Sequence, residues 1–413
     1  MEIQWSGRKK NYYMARHIIA GIDIGTSEIK VVIAEGLIEH GHLVPKIIGT
    51  GTSEAKGIYR GYIANQDEAA KSVETAVKRA EKIAGLKIKR AYVSFGGIGL
   101  GSVTASGSTI ISKADREVTD RDISLALEIA EAAIPPAVSI NKKIINTVPI
   151  EYKIDGQIVW GQAAGLKAEK LEVKALFITC LEHHLNSLIS TIEMAGIEVA
   201  DVVAAPVALS LVTLSKKQKR AGCLLVDLGA ETLSTVVFEN NNLISLEVFP
   251  VGSDDITNSI ALSLKISPEE AERVKRDMER RLTYPKKKLE DVIRARLGDY
   301  FDLVETHLKS IGRNALLPAG VILAGGGASI PNIKNIAENC FKLPSQLAEV
   351  YFGNTTEGKI KERTWAIACG LLIVGFNGED VERSLGIRNG SLIKENGLRW
   401  SRVISHWISQ FLP

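Results

Sequence analysis

One pattern in the 413-residue chain constrains its fold more than any other, because it occurs twice. Residues 18–30 read I-I-A-G-I-D-I-G-T-S-E-I-K: an apolar β-branched run, an Asp one residue before its end, a Gly, two hydroxyls and a return to apolar residues. Such a run reads as a buried strand, and Gly permits the tight turn that sends the chain back as a second strand. From Cys223 the order recurs as C-L-L-V-D-L-G-A-E-T-L-S-T-V-V-F. Two copies of strand, D-x-G turn and strand, about 200 residues apart, predict a duplicated α/β domain. The tip of such a hairpin exposes N–H groups that cradle phosphate, and the Asp beside it offers an oxygen ligand to a divalent metal carried by a nucleotide.

A third signal is G-V-I-L-A-G-G-G-A-S-I-P-N-I, residues 320–333. It predicts a buried strand running into Gly325, Gly326 and Gly327, then a helix whose start is marked by Ser329 and Pro331. Glycines at a strand-to-helix junction let a flat base or sugar lie against bare backbone. Net charge is only +3, so there is no global drive toward nucleic acid. The cysteines Cys180, Cys223, Cys340 and Cys369 are isolated in mostly apolar runs and read as core residues of a reducing compartment. No apolar stretch reaches the ~18 residues a membrane span needs, and the basic N-terminus lacks the apolar core of a signal peptide. Met14 is a plausible alternative start.

Between these signals, Ala69, Val73, Ala76, Val77, Ala80 and Ile83 recur at helical spacing and predict a helix over 64–84 ending at Gly85. Residues 44–51 and 91–95 read as strands. Residues 98–171 change character: β-rich stretches at 102–111 and 144–154 enclose one helix at 120–133, capped by Thr119 or Asp120. This predicts a small α+β module inserted into the first unit. Strands are expected at 172–179 and 199–204, and helices at 185–195 and from 208.

Two further stretches stand apart. Residues 273–296 carry ten Lys or Arg against four Asp or Glu, the one dense basic patch. At the C-terminus, after a polar, aperiodic linker over 377–397, Trp400, Val403, Ile404, Trp407, Ile408 and Phe411 form one continuous apolar helical stripe. Two Trp and a Phe beside Arg402 suit the headgroup boundary of an anionic bilayer, so 398–413 is expected to lie on a membrane surface.

The order D-x-G-T, D-x-G-x-x-T and A-G-G-G resembles the actin and heat-shock-chaperone ATPase superfamily. With G-T-G-T-S-E-A-K-G-I-Y-R-G-Y-I and the C-terminal stripe, the chain resembles, within it, the FtsA family of bacterial cell-division proteins from Met14 onward. The resemblance implies an α/β, actin-like (ribonuclease H-like), duplicated two-lobe ATPase fold, with an inserted α+β subdomain and a C-terminal amphipathic helix. The first lobe would comprise 17–97, 172–216 and 365–376, with the insert at 98–171. The second would comprise 217–258 and 312–364, with a subdomain at 259–311; residues 1–16 would be an N-terminal extension.

On this resemblance ATP lies between the lobes. Gly25, Thr26, Ser27 and Lys30 would meet its phosphates from one side, and Gly229, Ala230, Glu231 and Thr232 from the other. Asp23 and Asp227 would hold Mg²⁺, largely through water. Gly325, Gly326, Gly327 and Ala328 would back the adenine, and Glu272 and Lys275, one turn apart on one helical face, would reach the ribose and base edge. The resemblance assigns the basic patch, at Arg294 and Arg296, to the acidic-apolar C-terminal tail of the tubulin-like protein FtsZ. It implies self-assembly into filaments, contacts with later division proteins through 98–171, and a peripheral place at midcell on the cytoplasmic face of the membrane.

Two departures matter. Ala230 and Glu231 stand where many relatives have glycines, and a Glu close to phosphate is unfavourable unless it turns away. Around Pro206 the sequence A-A-P-V-A-L holds no acid, amide or His to orient an attacking water, so at most weak ATPase activity is expected. An adaptor of the PilM type, from type IV pilus assembly, shares the inserted-subdomain architecture and is the alternative, but that type predicts no terminal amphipathic helix.

Overall fold

The computed structural model describes residues 17–39, 42–159, 161–276, 284–352 and 363–384. Strands β1 (Ile18–Ile24) and β2 (Glu28–Glu39) form the first hairpin, continued antiparallel by β3 (His42–Glu54). A small hairpin, β4 (Ile58–Tyr59) and β5 (Tyr62–Ile63), precedes α1 (Gln66–Ala84). Asn65 caps α1 by accepting from the Glu68 N–H, and Gly85 ends it in the left-handed conformation. Its buried Ala76 and Ala80 lie so close to β3 that a Cβ on Gly51 would stand 2.1 Å from the Ala76 carbonyl oxygen. Strand β6 (Arg90–Phe95) then runs parallel to β1.

The insert follows: β7 (Gly101–Ile110), α2 (Asp120–Ala132), α3 (Pro136–Ser139), β8 (Lys142–Ile154), β9 (Gln157–Val159) and β10 (Lys170–Leu181). Helix α4 (Glu182–Met194) and β11 (Glu198–Ala204) return to the first lobe. Helices α5 (Ala205–Thr213) and α6 (Lys216–Ala221) lead on to β12 (Cys223–Leu228), β13 (Leu233–Glu239) and β14 (Asn242–Phe249). After α7 (Ser253–Leu264), α8 (Pro268–Arg276) and α9 (Lys286–Ser310) come β15 (Val321–Ala324), α10 (Ile333–Phe341) and β16 (Ser345–Leu347). Helix α11 (Ala366–Ser384) is the last described element.

The duplication is exact in topology. The first sheet runs β11-β6-β1-β2-β3, and the second-lobe strands run β16-β15-β12-β13-β14, each with the hairpin strands antiparallel and the other neighbours parallel. Register repeats too: Asp23 pairs with Lys30 and Asp227 with Ser234. One apolar core, around Ile22, Val31 and Val93, runs on into the second lobe at Leu225 and Val236; another, around Val226, Phe301 and Leu323, lies within the second lobe.

Several expectations need correction. The strand expected in the first lobe at 172–179 is part of β10, which pairs along its length with β7 and β8 and so belongs to the sheet of the insert. A period-two pattern reports that a strand is half-buried, not which sheet it joins. The insert also joins the second lobe edge to edge: Gly101 pairs with Glu247, and the Ser102 hydroxyl donates to the Leu246 carbonyl while accepting from its N–H. On its far face, α2 packs so closely that a Cβ on Gly107 would stand 2.2 Å from the Ala126 carbonyl oxygen.

Helix α5 starts at Ala205, with Pro206 in its first turn, rather than at 208. The helix expected at Ser329 and Pro331 starts only at Ile333, after a 3₁₀ turn over Gly326–Ser329 and a left-handed Asn332. The first residues of the linker expected from 377 are instead helical, because α11 runs on to Ser384. The N-terminal extension, residues 385–397 and the expected membrane helix, with Trp400, Arg402, Val403, Ile404, Trp407, Ile408 and Phe411, lie outside the described residues.

Candidate functional site

The two hairpin tips face each other across a cleft of about 590 Å³. From the first lobe it is lined by Asp23, Gly25, Thr26, Ser27 and Lys30, and from the second by Asp227, Gly229, Ala230 and Thr232. Gly325, Gly326, Gly327, Glu272 and Lys275 line it as well. Residues expected at one site from four separate stretches therefore do converge. Two expected members do not line it: Ala328 is buried in the second core, and Glu231 turns aside.

Both tips obey the same local geometry. A Cβ on Gly25 would stand 2.6 Å from the Glu28 carbonyl oxygen, and one on Gly229 would stand 3.0 Å from that of Thr232. The turn closes only without a side chain at that position. Gly325, at φ 81°, carries the strand end directly past Asp227; a Cβ there would lie 2.4 Å from the Asp227 Oδ1.

The acidic pair sits at the base. The Ser94 hydroxyl donates to Asp23 Oδ1 at 2.8 Å and accepts from the Ile24 N–H, fixing the carboxylate from β6. Burial raises the Asp23 carboxyl, an effect the Lys30 ammonium opposes. Burial and then the neighbouring Asp23 charge push Asp227 up to about 7. Two buried carboxylates, one raised by the charge of the other, are a donor set that a cation relieves. Among the described residues no cluster of three or more His, Cys, Asp or Glu could hold a metal alone. The pair therefore fits a hard cation that takes its other ligands from water and a ligand's oxygens.

The expected pair Glu272 and Lys275 has a second role. Glu272 and Lys275 do meet one turn apart, at 2.6 Å, but not as a solvated pair, for Lys275 is only 6% exposed. Its ammonium also donates to the Ser253 carbonyl at 3.0 Å and the Thr257 hydroxyl at 2.6 Å. All three of its protons are used, and α8 is braced against α7. Burial works against the Glu272 charge, but donors from Lys275, Thr257 and Arg276 hold its carboxyl at about 2.

Sequence reasoning missed Arg276, Ser329 and Arg363, all of which line the cleft. Arg276 adjoins the predicted pair and was within reach of the helical-face argument; Arg363, on the 3₁₀ turn before α11, belongs to no motif. Near the expected water-orienting position, the cleft wall from α5 is Ala205 and Leu209, both apolar. Of the basic residues on α9, Arg294 is exposed. Arg296 donates to the Ser259 hydroxyl at 2.7 Å and lies 3.6 Å from Asp299.

Comparison with known proteins agrees with this geometry. A family model described as "Cell division protein FtsA" matches residues 224–370, and one described as "SHS2 domain inserted in FTSA" matches 97–179, a span that takes in β10 as its sheet pairing does. Together they cover more than half of the chain. The cell division protein FtsA of Pseudomonas aeruginosa is 26% identical over 401 residues, 91% of this chain and 93% of its own. That of Bacillus subtilis is 28% identical over 343 residues, 78% and 76% of the two chains. Among solved structures, one described as the PilM-PilN type IV pilus biogenesis complex matches with TM-score 0.62 at 18% identity, over 86% of this chain and 98% of that one. On its sequence, its duplicated actin-like fold and its insert, the chain belongs to the FtsA family of cell-division proteins.

Proposed function

We propose that the chain is an ATP-binding, polymerising adaptor that tethers FtsZ filaments to the cytoplasmic membrane and helps recruit later division proteins. The observation that carries this reading is the convergence of two equivalent hairpin tips and an acidic pair on one cleft. Gly25, Thr26, Ser27 and Lys30 hold the phosphates from one side, Gly229, Ala230 and Thr232 from the other. Asp23 and Asp227 hold Mg²⁺, which neutralises the phosphate charge when bound. The glycines 325–327 leave room for the adenine. With apolar Ala205 and Leu209 where an attacking water would be oriented, ATP acts mainly as a conformational pin and hydrolysis is slow or absent.

Arg294 and Arg296 receive the FtsZ tail. Support comes from Leu262 on α7, 81% exposed, near Ser259 and Ser263, which bond Arg296 and Lys288 of α9. An exposed Leu beside cations matches an acidic-apolar peptide. Residues 398–413 supply the lipid contact, peripheral and at midcell, and residues 98–171 the surface for later division proteins. The pilus-assembly reading shares the fold, but the relatives matched by sequence over most of the chain are division proteins. Reconstitution on anionic vesicles with ATP, Mg²⁺ and the FtsZ tail peptide tests the whole proposal. ATP-dependent assembly on the vesicles, peptide recruitment and little phosphate release are expected; strong turnover without assembly would overturn it.

A further inference from the structure

Glu231 is the expected phosphate-clamp residue that leaves the cleft wall, and where it goes is informative. Its carboxylate crosses to the first lobe and accepts the N–H of Arg60, 171 residues away in sequence. Its own N–H donates to the Thr26 hydroxyl at 3.3 Å, so the two hairpin tips are bridged at one residue. Arg60 sits in the left-handed region, φ 48°, at the tip of the β4–β5 hairpin. Its carbonyl accepts from the N–H of Ile98, at the start of the insert.

That small hairpin grips both ends of the insert. At the outgoing end, a Cβ on Gly61 would stand 2.4 Å from the Gly97 Cα, so the backbones lie flush. At the return, the Tyr62 ring stacks on His184, three residues after β10 ends, with centroids 3.5 Å apart and planes 9° from parallel. A continuous series of contacts thus runs from the second-lobe clamp, through one peptide group, to the two points where the insert joins the first lobe.

We propose that Glu231 is a positioning residue that couples occupancy of the cleft to the insert through the Arg60 peptide. The proposal rests on the cleft being a phosphate site. A phosphate group arriving between the tips competes for the Thr26 hydroxyl and the Glu231 N–H and repels the Glu231 carboxylate. Any displacement of that residue is felt at Arg60 and then at Ile98. A glycine at position 231 would have no carboxylate with which to send this signal.

The test is hydrogen exchange on the full chain, with and without Mg-ATP, for wild type, Glu231→Ala and Glu231→Gln, each first checked by thermal melting. Without nucleotide, Glu231→Ala is expected to speed exchange over 58–63 and 97–102 about fivefold, the factor one lost hydrogen bond is worth. Mg-ATP is expected to alter exchange over 97–102 in wild type and in Glu231→Gln, whose amide oxygen still accepts, but not in Glu231→Ala. An insert response in Glu231→Ala equal to that of wild type overturns the coupling, as does loss of the response in Glu231→Gln with its melt unchanged. If Mg-ATP protects neither 25–27 nor 229–232 in wild type, the nucleotide reading itself fails. The nucleotide-free comparison then decides alone, and unchanged exchange in Glu231→Ala overturns the coupling.

Discussion

The two aspartates at the base of the cleft make the chain sensitive to pH in a definite direction. Asp227 titrates near 7 in the folded chain, whereas in the unfolded chain it ionises in the ordinary carboxylate range. Between about pH 4 and about pH 7 the folded form keeps a proton that the unfolded form has lost. The contribution of this group to stability is therefore present in acid and is lost as pH rises through 7. Asp227→Asn is expected to remove that slope, so its melting temperature should gain on wild type as pH rises, provided no metal is added. Mg²⁺ binding runs the opposite way, weakening as pH falls below about 7, since the cation competes with that proton. Titration of Mg²⁺ affinity against pH in both proteins checks the two effects together. That Asp23 and Asp227 would share a site was legible, because the D-x-G pattern repeats. The role of Lys275 was not, because its partners Ser253 and Thr257 lie on the preceding helix and no spacing within α8 announces them.

Among the elements, α9 and α7 form the face assigned to the FtsZ tail, and here charge decides. Reversing Arg294 and Arg296 to Glu is expected to weaken binding of the tail peptide roughly tenfold or more, with the loss shrinking at high salt. Fluorescence anisotropy with a labelled peptide measures this, and unchanged affinity would remove the assignment. The fold should survive the change, because both side chains project from the exposed side of α9 while Ile293, Leu297 and Phe301 hold its buried side. Most helices and hairpin strands were readable from periodicity, α1 and α2 nearly to the residue. The failures have particular causes. Strand β10 carries the alternation of any half-buried strand, so nothing local assigns it to the insert. Helix α10 starts late because Gly325 and Asn332 take left-handed conformations that a Ser-Pro start signal does not reveal.

At the scale of the molecule, the two lobes, the insert and the terminal stripe make separate demands. A chain ending at Ser384 keeps every described element and loses only the stripe and its linker. It is expected to fold with an unchanged melting temperature but not to pellet with anionic vesicles, whereas the full chain does; equal pelleting would remove the lipid assignment. One helix with so few cations binds weakly, so pelleting should rise steeply where chains assemble. Helix α11 adds a constraint of timing. It closes the first lobe by lying flush on β1 and α5: a Cβ on Gly21 would stand 2.8 Å from the Ala368 carbonyl oxygen, and one on Gly370 would stand 2.0 Å from that of Ala208. Yet residues 366–384 leave the ribosome after the whole second lobe, which is contiguous and can mature first. The first lobe must wait, one face of β1 uncovered, for a keystone synthesised after every other strand and helix described. A product truncated before α11 therefore leaves the first lobe incomplete even where the second has already matured.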